Sequence, residues 1–177
     1  DLVRSRGLGD VYKRQVMAYV GSGDRLTVPS PYGTIQSAIN ASSALDTVYV
    51  SPGTYNERIT MKDGVVVMSS DGRATTTITS ASGVIVTAVG ASDLTVLKGF
   101  TIDGQGTATA GIESWSSYMR VEDCSIVSCG NGTSSKYGDM TTFVGNSMSQ
   151  SSSGVAVADS SSPFFSCNTI SGNTFAG

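Results

Sequence analysis

The 177-residue chain contains no histidine. Within these residues that excludes Ser-His and Cys-His nucleophile pairs and any imidazole-ligated zinc. Cysteine is scarce too: Cys124, Cys129 and Cys167 are an odd set without C-x-x-C spacing, so neither a zinc knuckle nor a redox pair is indicated. Cys124 reads as a buried free thiol. A disulfide between Cys129 and Cys167, or with a partner outside the chain, stays open. Charged side chains make up only 14% of the residues, and no apolar run approaches the roughly 20 residues that a membrane-spanning helix needs. Aromatics are 7%, with a single tryptophan, so any place where they cluster stands out. What dominates instead is Ser, Thr, Gly and Val.

Positive charge is unevenly placed. Arg4, Arg6, Lys13 and Arg14 are four of the eleven basic residues, and all fall in the opening DLVRSRGLGDVYKRQ. The stretch from Asp10 to Gln15 can be written GAT GTG TAT AAG AGA CAG, which resembles the transposon end joined to DNA fragments in sequencing-library preparation. Residues 1–15 are therefore expected to be a non-native, adapter-derived segment, with a basic arm as the alternative. Beyond it seven basic residues face twelve acidic ones, a net charge of −5. An acidic chain without a basic stripe speaks against a nucleic-acid partner. The remaining length, about 160 residues, suits one domain. The closing SGNTFAG stops inside a repeat, so 16–177 is expected to be the N-terminal part of a longer domain.

The repeat has a period of 22 to 24 residues. Ile102, Ile126, Met148 and Ile170 form one column, and Leu97, Val121, Phe143 and Phe165 form another five positions earlier. Phe100, Cys124, Asn146 and Asn168 form a third, two positions before the first. Each unit holds short β-rich runs separated by Gly, Asn, Asp and Ser turn chemistry. A run of three or four residues cannot bury a face alone. Stacked in register on its neighbours, it makes parallel ladders at about 4.8 Å per rung around a continuous apolar column. The column at −5 faces the same interior only if the chain bends before −2, as a solenoid corner does. Asn146 and Asn168 then sit one above the other and are expected to form an internal amide ladder. A further ribbon is read in GVIV at 83–86, GIES at 111–114 and GVAV at 154–157. The coil between them, around GNGTSSKYGDM, reads as polar and longer looped, with its third strand the least marked.

The first half carries a family-like text. In YGTIQSAINASSALDTVYVSPGTYNERITM, Ile35, Ala38 and Ile39 form one stripe of a short helix that Thr34 can cap. The pattern T-I-Q-x-A-I followed by D-T-V-x-V-x-P-G-T-Y-x-E is met by Thr34, Ile35, Gln36, Ala38, Ile39, Asp46, Thr47, Val48, Val50, Pro52, Gly53, Thr54, Tyr55 and Glu57. It resembles the opening of right-handed parallel β-helix proteins of the pectin-lyase-like superfamily, and VEDCSIVSCGN and SSPFFSCNTISGN resemble that fold's generic coil. The resemblance spans roughly 21–177. It implies an all-β, single-stranded, right-handed parallel β-helix, with a capping helix at about 34–43 and coils over about 46–177. The helix would plug the open end of the solenoid, covering strand edges that otherwise invite aggregation.

The resemblance also sets the functional expectations. The motifs specify the fold far better than an activity. Pectin-methylesterase motifs have no counterpart beyond Gly99, and no second carboxylate cluster stacks on the adjacent Glu122 and Asp123 as a hydrolase pair requires. A pectate-lyase-like set, with calcium as the cofactor, could draw on Asp103, Arg120, Glu122 and Asp123. Against that, Glu122 aligns with Lys98 as an ion-pair rung, and Asp103 precedes Gly104 as a turn residue. Trp115 and Tyr118 fall on a loop where flat rings could stack on a sugar or pack down on the wall. The expectation is an extracellular or cell-surface, polysaccharide-associated β-helix that binds a glycan or forms the first part of a lyase or hydrolase. The alternative is a non-catalytic, adhesin-like or spacer solenoid.

Overall fold

A computed structural model describes residues 23–175; the adapter-like segment 1–15 lies outside the described residues. β1 (Arg25–Val28) leads into α1 (Ile35–Ala41). The second coil holds β2 (Thr47–Val50), β3 (Gly53–Asn56) and β4 (Ile59–Thr60), and the third β5 (Val66–Ser69), β6 (Thr76–Thr79) and β7 (Val84–Val89). Then come β8 (Val96–Lys98) with β9 (Thr101–Trp115), and β10 (Arg120–Glu122) with β11 (Ser125–Lys136). β12 (Thr142–Val144), β13 (Ser147–Ser149) and β14 (Ser153–Val157) form the sixth coil, β15 (Phe164–Ser166) and β16 (Thr169–Ser171) the seventh. Each strand pairs in parallel with its counterpart one coil on, giving a first face β1-β2-β5-β8-β10-β12-β15 and a second face β3-β6-β9-β11-β13-β16. The distal halves of β9 and β11 turn a corner and join β4, β7 and β14 as a third face. Among the described residues this is a parallel β-solenoid with one short helix.

Both apolar columns are in the expected register. Leu97, Val121, Phe143 and Phe165 are successive partners on the first face, and Ile102, Ile126, Met148 and Ile170 on the second. Leu97, Val121 and Phe143 are fully buried, each stabilising by about 1.5–3 kcal/mol. The rings of Phe143 and Phe165 lie 4.8 Å apart at 7°, matching the rung spacing. The first column continues upward through Val67, Val48 and Leu26, where the coils are 30, 19 and 22 residues long. The third face corrects the ribbon read from sequence. Gly111 and Gly154 do share a column, but the rung between them is Gly132 of β11, which had read as loop. Val84 pairs with Ala110, so GVIV is displaced by two positions. The glycine column is a slot for the facing second-face column. A Cβ on Gly154 would come within 2.5 Å of the Ile170 Cγ2, and one on Gly132 within 2.5 Å of the Gly154 carbonyl oxygen.

Each corner follows one rule: a residue at positive φ, then a side chain turned inward. Gly99, Asp123, Gly145 and Cys167 (φ 77°, 50°, 68° and 56°) precede the column Phe100, Cys124, Asn146 and Asn168. Left-handed geometry costs a non-glycine residue about 1–2 kcal/mol. It is offset because the inward side chain accepts the corner amide of the coil before. The Cys124 amide donates to Asn146 Oδ1 (2.8 Å), and the Asn146 amide to Asn168 Oδ1 (2.8 Å). Asn146 Nδ2 donates to Asn168 Oδ1 (3.1 Å) and to the Val121 carbonyl (2.9 Å). The expected amide ladder is present. A second corner repeats it, with the Cys129 amide donating to Ser151 Oγ and the Ser151 amide to Asn173 Oδ1.

The family-like opening has a physical explanation in the cap. Thr34 and Ser37 form a reciprocal capping box, and Ile35, Ala38 and Ile39 are buried against the first coils. The Glu57 carboxylate accepts from the Ile35 and Gln36 amides (2.9 and 3.0 Å), two of the unpaired donors of the helix N-terminus. The side-chain amide of Gln36 accepts from the Thr60 amide (2.6 Å) and faces the Thr60 carbonyl, acting as a surrogate strand for the edge of β4. Asp46 accepts from the amides of Asp24 and Ser43, both at 2.7 Å, joining the first two coils.

Asn146→Ala removes an acceptor and two donations inside the wall, stranding the Cys124 amide. The expected loss is about 2–4 kcal/mol in urea denaturation. Asn168→Ala, at a half-buried position, should lose less than half as much. Equal losses would show that the ladder does not carry the difference.

Candidate functional site

The charged residues singled out in the sequence fall on the first face and its corner. Glu122, on β10, bonds Lys98 one coil below (3.1 Å) and Arg120 on its own strand (2.5 Å), while Asp123 lies 3.7 Å from Lys98. Hydrogen bonding to Glu122 raises the Lys98 ammonium above its ordinary value. Glu122 is thus held between two cations, the ion-pair rung expected from its alignment. Such half-exposed pairs contribute about 0–1 kcal/mol. Asp103 stands apart on the second face, in register with Thr79 and Val127. Its carboxylate accepts from the Gln105 amide (2.9 Å) and closes a turn, as its place before Gly104 suggests. Among the described residues no group of three or more His, Cys, Asp or Glu side chains could hold a metal ion. Asp103, Glu122 and Asp123 therefore form no such group.

The aromatic candidates Trp115 and Tyr118 flank the corner joining the third face to the first. Val89, Trp115 and Lys136 are register partners on successive coils. Next to Lys136, Tyr137 meets the Trp115 ring edge-on at 5.7 Å. Across the corner, Tyr118 and Met140 occupy equivalent places, their amides donating to the carbonyls of Ala91 and Ser117 in the coil before (both 2.7 Å). Tyr118 (53%), Tyr137 (59%), Met140 (48%) and Val89 (58%) are all exposed. Trp115 is half-buried, so it forms the wall on which Tyr137 rests. The result is an apolar, aromatic ledge running along the solenoid axis over about three rungs.

Asp139, which the sequence reading passed over, fixes this ledge from inside. It is fully buried, and its carboxylate accepts from the hydroxyls of Ser114 (2.9 Å) and Thr141 (2.8 Å) and from the Ser117 amide (3.3 Å). Those contacts tie the residue before Trp115 and the residue before Tyr118 to one carboxylate. The same corner ladder runs from the Ala91 amide to Ser117 Oγ, and from the Asp139 amide to Ser161 Oγ. Residues 117, 139 and 161 keep the 22-residue period, which is the signal that could have found Asp139. Beside it, the hydroxyls of Thr133 and Ser135 and the Trp115 indole N–H are buried without a partner. Outside the ledge, Lys136 is held by Glu113 (2.5 Å), whose hydrogen bond pushes the ammonium above its ordinary value.

The three cysteines are free, Cys124 and Cys129 buried and Cys167 exposed. Cys124 and Cys129 turn inward at two different corners, whereas Cys167 holds an outward, positive-φ position two coils on from Asp123. Burial pushes the thiols of Cys124 and Cys129 up to about 11, while the amides of Phe100 and Gly104, donating toward them, pull the other way. Both sulfurs serve as corner acceptors where Asn and Ser serve in later coils. At pH 8 both thiols stay protonated, and reactivity needs the thiolate. A disulfide reagent should titrate one thiol in the native protein and three in urea. A second fast native thiol would contradict the burial of this pair.

In comparisons with protein-family models, curated proteins and solved structures, no match to the chain was found.

Proposed function

We propose that this chain is a glycan-binding β-helix of the pectin-lyase-like type, acting outside the cell or at its surface, and that the polysaccharide lies along the ledge of Trp115, Tyr118, Tyr137 and Met140. The observation that carries this reading is the clustering of exposed rings in a chain poor in aromatics. An aromatic face offers an apolar surface to the C–H groups of a pyranose ring. Trp115 and Tyr118 on one coil and Tyr137 and Met140 on the next give an apolar strip across coils stacked about 4.8 Å apart, along which an extended sugar chain can run. Elongated ligands suit solenoids because contacts repeat along the axis.

A lyase or hydrolase built on the same coils would need a free acid and base. Glu122, between Lys98 and Arg120, and Asp103, in its turn, are both engaged, which favours binding over cleavage among these residues. The same pairing of charges favours, as second reading, a spacer or adhesin-like solenoid whose surface is inert.

Affinity electrophoresis through gels containing a panel of polysaccharides, with and without calcium, separates the two. Retardation is expected in at least one gel, with Tyr137→Ala and Tyr118→Ala each weakening binding by roughly fivefold, equivalent to about 1 kcal/mol per ring. Unretarded migration in every gel would leave the spacer reading in place.

A further inference from the structure

We infer that the ledge is selective for uncharged glycan chains, extended ribbons of neutral hexopyranose rings, and rejects polyuronates. This rests on the reading of the ledge as a glycan site and adds the chemical class of its ligand.

The first argument is the state of the neighbouring cations. A polyuronate presents one carboxylate per ring, and its recognition calls for Arg or Lys free to make charge-assisted bonds. Two cations border the ledge. Lys136 is held by Glu113, whose side chain is only 11% exposed, and Arg120 by Glu122, at 18%. Turning Lys136 toward a ligand would leave the largely buried Glu113 carboxylate unpaired, which is unfavourable, and turning Arg120 would give up its contact with Glu122, which Lys98 also holds. Lys98, further along the first face, is held by Glu122 and Asp123 in the same way.

The second argument is the sign of the remaining charge. Asp159 is exposed one coil beyond Tyr137, where its carbonyl accepts from the Gly138 amide (2.9 Å). Asp93, next to the exposed Leu94, is on the opposite flank. Asp139 lies beneath the ledge with hydroxyl and amide donors only. With Lys136 cancelled by Glu113, the field over Tyr118, Tyr137 and Met140 is negative. It opposes each further carboxylate of an acidic polymer, and salt weakens that opposition over a screening length of about 10 Å at 0.1 M. Neutral rings meet no such opposition and match the apolar side chains that the ledge exposes.

The test compares a soluble neutral β-glucan with polygalacturonate by affinity electrophoresis and calorimetry, at low and moderate salt. For the native chain, the neutral polymer should bind at least tenfold more tightly, and any binding of polygalacturonate should strengthen as salt rises. Glu113→Gln releases Lys136 and should raise polygalacturonate affinity several-fold without changing neutral binding. Tyr137→Ala should weaken neutral binding while the melting temperature stays unchanged. Equal or tighter binding of polygalacturonate, still dependent on Tyr137 and weakened by salt, would overturn the selectivity and leave the glycan site standing. Binding of neither polymer would overturn the selectivity and remove support for the glycan reading as well.

Discussion

Everything in this molecule depends on one constraint: a backbone amide that leaves a strand at a corner must find its acceptor in the next coil. Within a strand the parallel ladder supplies partners automatically. At a corner it cannot, because the chain turns out of the sheet plane, and an amide left bare inside the wall costs about 1–3 kcal/mol. The solution is the same at all three corners. A positive-φ residue swings the chain around, and the residue after it points an oxygen or a sulfur inward to the coil before. Asn146 takes the Cys124 amide, Ser151 that of Cys129, and Ser117 that of Ala91. Since each acceptor belongs to the neighbouring coil, the corners enforce registry between coils, and the apolar columns stack because the corners do.

That order of cause explains the sequence of the corner columns. The Phe100 amide points at the Cys124 sulfur. Cys124 needs Asn146 above it, and Asn146 needs Asn168. A polar side chain in the wall is thus the consequence of the amide one coil earlier, not a ligand group. The same logic removes Asp46 and Glu57 from any list of catalytic acids. The first closes the opening coil and the second caps the plug helix.

The later coils were legible in the sequence because their lengths are nearly constant. From Leu97 onward the spacing is 24, 22 and 22, so columns align by eye. From Leu26 to Leu97 the coils vary from 19 to 30 residues, since corners lengthen freely on the outside while strands keep register. A fixed-period search therefore fails there, although the cap could be read from its motif. The polar run from Asn131 to Asp139 was misread for another reason. Thr133 faces inward where Ile112 stands in the coil before, and Ser135 where Ser114 stands, so hydrophobic alternation gave no sign of a strand. Of the candidate site residues, Glu122 was placed correctly by its register with Lys98. Tyr137 and Asp139 were hidden by that same misread run.

The ledge shows how a wall built for registry can become a surface. Asp139 is a corner acceptor like Asn146, but a carboxylate has two oxygens, and its contacts reach Ser114 as well as Ser117 and Thr141. It therefore holds two points of the preceding coil, Ser114 and Ser117, at one carboxylate. Trp115 follows Ser114 and Tyr118 follows Ser117, so both rings start from backbone whose position is set by the same buried group. Aromatic side chains have few rotatable bonds, and held backbone leaves them little freedom to lose on binding. The placement of these rings thus arises from the constraint that closes the corner, with no element added for it.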